Sequence, residues 1–217
     1  LRKMNEIGFE QSIDKKCYIY FDTEFTGLRK DTSLISIGLI DSDGRTFYAE
    51  FTDYDKSQVD KWIRQNVINN LMNPVNTFEG KHWKMTGNKR RVGTKLLQWL
   101  QPKIEEGRII QFVADVCHYD FVLLLDLLIP NGGTAIDLPK SISATCVDVN
   151  QDLAMMVRPK DNTKEMKNFV PTYIAFDLDR EEFVKAIGGF EYNGTKHNSL
   201  YDAYMTRAIH QYLWNLK

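Results

Sequence analysis

Cys17-Tyr18-Ile19-Tyr20-Phe21-Asp22-Thr23-Glu24-Phe25-Thr26-Gly27-Leu28 decides the fold and points to the chemistry. Aromatic and β-branched residues run up to two acids and stop at a glycine turn, the pattern of a buried strand over residues 18–24. Side chains two apart on a strand share a face. Asp22 and Glu24 therefore project together from one strand end, with Thr23 on the other side. Two carboxylates held side by side repel unless a cation lies between them, and ligation by oxygen alone favours Mg²⁺ or Mn²⁺.

Working outward, residues 33–40 alternate polar and apolar, as a half-exposed strand does. Asp41-Ser42-Asp43-Gly44 is a turn signal, and residues 46–51 read as the returning strand of an antiparallel meander. Residues 57–72 and 91–105 carry helix-spaced apolar side chains, among them Val92, Leu96, Leu97, Leu100 and Ile104. A buried strand follows at 108–114, and an apolar helix opens at Asp120 and runs to Leu128. Between 130 and 195 the pattern is weaker: Gly132-Gly133 and Pro139 mark loops, 141–157 fits neither period, and 180–187 reads as helix. From Ser199, the set Leu200, Tyr204, Ile209, Tyr212, Leu213 and Leu216 makes an amphipathic terminal helix. A meander followed by helix-separated strands predicts an α/β fold: a mixed central sheet, three antiparallel strands plus parallel ones, flanked by helices. One domain over residues 1–217 is expected, with 1–16 as an N-terminal extension and 130–190 as a variable insert.

The 217 residues suffice for one α/β domain with a sizeable core. No apolar run approaches membrane-spanning length. Cys17, Cys117 and Cys146 form no paired-cysteine motif, which favours a reduced, cytoplasmic setting. A net charge of −1 argues against coating nucleic acid by bulk electrostatics, so any such contact must be local or metal-mediated. Lys81, Lys84, Lys89, Arg90, Arg91 and Lys95 lie in a stretch without an acid. Either they grip a phosphate backbone, with Trp83 stacking on a base, or they belong to a solvated loop.

Three pieces together resemble the DEDDh 3′–5′ exonucleases, which include ribonuclease T, oligoribonuclease and polymerase proofreading subunits. Residues 21–28 are similar to the first motif, Asp-x-Glu-Thr-Thr-Gly-Leu, departing from it at Phe25. Leu34-Ile35-Ser36-Ile37-Gly38 is similar to the second strand. Asp115-Val116-Cys117-His118-Tyr119-Asp120 stands where the family has His-Asn-Ala-x-Phe-Asp; Asp120 keeps the aromatic neighbour and the helix start, and Asp115 is its rival. His197-Asn198-Ser199-Leu200-Tyr201-Asp202 satisfies the third motif, His-x₄-Asp. The tyrosine subtype would need a tyrosine at position 198, where asparagine stands. Small bacterial and phage exonucleases with an Asp-Thr-Glu-Phe motif are the most similar, sharing also Trp62 and Arg64, over residues 18–213.

The resemblance implies an RNase H-like fold and hydrolysis with two Mg²⁺ ions, replaceable by Mn²⁺. Asp22, Glu24 and Asp202 would hold one ion, Asp22 would bridge to the second, and Asp120 would complete the site. His197 would take the proton of the attacking water. Phe25, Thr26, Leu28 and Tyr119 would meet the terminal nucleotide. The substrate would be a single-stranded 3′ end or overhang, RNA favoured, releasing nucleoside 5′-monophosphates. A DNA exonuclease, a proofreading subunit and a catalytically idle binding module are the alternatives. A homodimer is expected by likeness to ribonuclease T.

Overall fold

Strand β1 (Lys16–Phe25) sits inside a six-stranded sheet and carries the first acidic pair at its C-terminal end. The computed structural model describes residues 16–129, 133–156 and 178–215; the expected extension up to residue 15, and parts of the 130–190 region, lie outside these. The other strands are β2 (Leu34–Asp41), β3 (Thr46–Phe51), β4 (His82–Gly87), β5 (Ile109–Ala114) and β6 (Ile142–Asp148). Their order is β4-β3-β2-β1-β5-β6. β1, β2 and β3 form the antiparallel meander, while β4, β5 and β6 pair in parallel with β3, β1 and β5. This is the mixed sheet expected from the sequence, a three-stranded antiparallel meander extended by parallel strands.

Helices cover both faces. Cys17, Ile19 and Phe21 of β1 pack with α2 (Lys89–Glu105) and α3 (His118–Leu128). Tyr20 faces the other way, toward α4 (Val149–Met156), α5 (Arg180–Ala186) and α6 (Ser199–Asn215). Fully burying a side chain such as Phe21 contributes roughly 1.5–3 kcal/mol.

Three expectations change. β2 is buried along its whole length rather than half-exposed, because it is an interior strand with helices over both faces. Its polar Ser36 is satisfied by Ser199, Oγ to Oγ at 3.0 Å. The 57–72 segment breaks into a 3₁₀ turn (Lys56–Gln58), a short α1 (Lys61–Asn66) and a second 3₁₀ turn (Ile68–Asn70). Asp55 and Asp60 each cap a fresh start there, accepting from Ser57 N and Ile63 N, and such local bonds compete with a continuous helix. Lastly, the basic stretch is not a loop. It forms the edge strand β4 and the first turns of α2, and Lys84 within β4 exchanges backbone hydrogen bonds with Thr77 (2.8 and 2.9 Å), so a short segment partly covers that edge.

One close approach places the last helix. A Cβ on Gly38 would lie 2.3 Å from Leu200 N and 2.4 Å from Ser199 C, so only glycine lets the first turn of α6 rest on β2. Gly38 pairs with Asp22 in the sheet, and that turn carries Asp202.

Candidate active site

Asp22 and Glu24 leave β1 on the α6 side, Asp22 partly exposed to the cleft and Glu24 buried. Thr23 turns to the opposite face. There its backbone N–H and its hydroxyl both donate to Asp120 Oδ1, at 3.0 and 2.6 Å, which lashes the first turn of α3 to the strand end. Asp120 opens α3 as an acid in a first turn, where the helix dipole favours it. The turn before it is tight: Val116 has φ +53°, and Asp148 Oδ1 fixes its N–H at 3.0 Å. Asp202 comes from the first turn of α6, which Asn198 caps through Leu200 N and Tyr201 N. Asp202 Oδ2 accepts from His197 N at 2.9 Å, and its Oδ1 is buried without a hydrogen-bond partner among the described residues.

Glu24, His197 and Asp202 each bring one ligand atom within 4.8 Å of the others. All five acidic and imidazole residues border a cavity of about 510 Å³, together with Phe25, Leu28, Trp62 and Asp115. The carboxylates strain against one another. Burial, then the charges of Asp202, Asp120, Glu24 and Asp115, hold Asp22 well above the usual carboxylate range. Burial, then Asp202 and Asp120, pushes Glu24 up to about 9. Burial drives Asp202 up to about 7 and raises Asp120, whose bonds from Thr23 oppose the shift. Oxygen donors, crowded negative charge and an orphaned Asp202 Oδ1 fit a hard divalent cation.

The family model described as a 3′–5′ exoribonuclease Rv2179c-like domain matches residues 17–214. The chain belongs to this family. Two curated relatives from Mycobacterium tuberculosis match this Rv2179c-like domain: 3′–5′ exoribonuclease Rv2179c (strain ATCC 25618 / H37Rv) and 3′–5′ exoribonuclease MT2234.1 (strain CDC 1551 / Oshkosh). Each is 31% identical over 108 residues, 50% of this chain and 59% of the relative. The chain thus spans less than two thirds of their length. A solved Neurospora crassa Pan2 catalytic unit (protease and nuclease domain) aligns over 93% of this chain and 28% of that one, at 11% identity and a TM-score of 0.40.

In the Rv2179c-like domain the raised carboxylates make a stability prediction. Their folded pKa values stand above the usual value near 4, so between about pH 4 and about 9 the folded state binds more protons than the unfolded chain. Stability from these groups is therefore complete at low pH and lost as pH rises through that window. Metal-free protein should melt higher at pH 5 than at pH 8, and added Mg²⁺ should raise the melting temperature more at pH 8. Calorimetric scans with and without chelator check both.

The two rivals for the second motif sit differently. Arg180 grips Asp115 as a fork, Nε to Oδ2 at 2.6 Å and Nη2 to Oδ1 at 3.0 Å, whereas Asp120 is tied to Thr23. Asp120→Ala should abolish cleavage, while Asp115→Ala should chiefly cost stability by leaving a guanidinium without its carboxylate. Loss of activity in Asp115→Ala alone would reverse the assignment.

Around the cleft, Phe25 and Tyr119 stack at 5.7 Å with 19° between planes, and Leu28 stands 77% exposed at the mouth. Thr26 is fully buried. Its hydroxyl meets Thr32 and Ser33 at 3.2 and 3.4 Å and donates to Gln58, so this side chain fastens the 26–33 loop and leaves only backbone for a ligand. Sequence reasoning passed over Arg29, Arg180 and Lys196 as cleft cations; the Lys81–Lys95 stretch, which it left open between a phosphate grip and a solvated loop, does not line this cavity. Adjacency to His197 was the available signal for Lys196. For Arg180 there was none, since its partner is 65 residues away.

Proposed function

We propose that the chain is a metal-dependent 3′–5′ exonuclease of the DEDDh type, favouring RNA and releasing nucleoside 5′-monophosphates from single-stranded 3′ ends. The observation that carries this reading is the meeting of Asp22, Glu24, Asp120 and Asp202 with His197 around one strand end. Asp22, Glu24, Asp120 and Asp202 would hold two Mg²⁺ ions, which when bound supply charge to the phosphate oxygens and acidify water.

The remaining chemistry belongs to the side chains. His197 has its pKa lowered from 6.5 by loss of hydration and by Lys196, so at neutral pH it is the free imidazole that a general base requires. Lys196 and Arg29 place positive charge on the cleft wall for a phosphodiester. The Phe25–Tyr119 stack, Leu28 and Trp62 offer apolar and aromatic surface to the terminal bases. The names of the curated relatives support RNA as substrate.

A time course on 5′-labelled RNA and DNA oligonucleotides of matched sequence tests the reading. Single strands and 3′ overhangs, in Mg²⁺, Mn²⁺ and EDTA, are compared with Asp22→Asn. A metal-dependent ladder shortening from the 3′ end, faster on RNA and missing in the variant, is expected. Intact substrates with folded protein would move the reading to an idle binding module, and faster loss of DNA would reverse the sugar preference.

A further inference from the structure

Contacts outside the carboxylate cluster converge on the loop that carries His197. Asn70 closes the second 3₁₀ turn and donates Nδ2 to Lys196 O at 3.1 Å. Asn198 Nδ2 donates back to Asn70 O at 2.9 Å. These two bonds bracket His197 on either side in the chain, and Trp62, from the same segment as Asn70, sets its ring edge-on to the imidazole at 5.1 Å and 74°. His197 itself has φ +64°, a left-handed backbone that a side-chain-bearing residue keeps only where its surroundings hold it.

The holding segment is itself moored. Buried Glu50 on β3 accepts from Tyr48 Oη at 2.8 Å and from Asn73 N at 2.9 Å. The 66–73 stretch is therefore tied to the sheet at one end and to the His197 loop at the other. Asn70 is not among the residues bordering the cavity, and its contacts run to backbone carbonyls at Asn66 and Lys196 rather than to the carboxylates.

We propose that Asn70 is a positioning residue for His197: with Asn198 it clamps the 196–198 backbone in the left-handed turn that aims the imidazole at Glu24 and Asp202. The inference rests on His197 being the general base of the proposed reaction. A residue acting only through another loses its effect when that other is removed, which gives the test a readout that general destabilisation would not mimic.

Asn70→Ala and Asn70→Leu, the second keeping volume without the donor, would be measured in the wild-type and His197→Ala backgrounds on a labelled RNA oligonucleotide. In the wild-type background kcat should fall roughly 10- to 100-fold with KM within about 2-fold, the scale of a misaimed catalytic group. In the His197→Ala background neither substitution should reduce kcat further, and Mn²⁺ affinity by calorimetry should be unchanged in both. Equal losses in the two backgrounds, or a loss confined to KM, would overturn the clamp. Should the wild-type protein degrade nothing, the nuclease reading fails, and the clamp is judged on the imidazole alone. Its ¹H–¹⁵N ring resonances should then move in both Asn70 variants, and unmoved resonances would overturn it.

Discussion

Asp22→Asn is expected to bring cleavage below detection while making the metal-free protein more stable at pH 8. Both effects have one cause. Asp22 faces Asp202, Asp120 and Glu24, and their charges together with burial hold its proton far above the usual range. Replacing it with the neutral, nearly isosteric amide removes repulsion from the folded state and removes a cation ligand at the same time. Thermal scans should show a higher melting temperature without metal and a smaller rise on adding Mg²⁺. Asp202→Asn should behave alike, since Asp202 Oδ1 is buried without a hydrogen-bond partner among the described residues. Retained cleavage in either variant would sink the site assignment; lower metal-free stability would show that the cluster is held by something other than shared protons.

His197→Ala should slow turnover by roughly 10²–10⁴-fold, the usual scale for losing a general base, while metal affinity stays near that of the wild type. The pH dependence carries the sign. Loss of hydration and the neighbouring Lys196 push the imidazole below 6.5, so the basic form prevails at neutral pH, and the rate should fall only as acidification protonates it. At saturating metal, that acidic limb should vanish in His197→Ala. A large loss of Mn²⁺ affinity instead would make His197 a ligand, a role its ring nitrogen could fill beside Glu24 and Asp202.

Much of this was legible in the sequence because the informative patterns are local. The run from Cys17 to Leu28 announces both a strand and a pair of acids, and the spacing from His197 to Asp202 announces a helix start. β4 alternates His82, Lys84 and Thr86 with Trp83 and Met85, but it is short and lies in a run of basic residues that reads first as a charged stretch. β2 misled because Ser36 and Gly38 suggest a wet face, yet Ser36 finds a buried hydroxyl partner and Gly38 admits a helix backbone. The fork of Arg180 on Asp115, and the clasp of Asn70 on the 196–198 backbone, join residues 65 and 126 apart in the chain. Only the folded topology sets such pairs side by side.

The seat of α6 on Gly38 also sets a timetable. Tyr20 and His210 meet across 190 residues, and Ser36 and Ser199 across 163, so the helix bearing Asp202 reaches the sheet through contacts that are among the slowest kind to close. During synthesis the meander and the next two parallel pairings of the sheet can form while this helix is still inside the ribosome. A nascent chain at that stage carries Asp22 and Glu24 with neither His197 nor Asp202 beside them. On the proposed reading the enzyme is born inert, and its activity switches on in a single docking event.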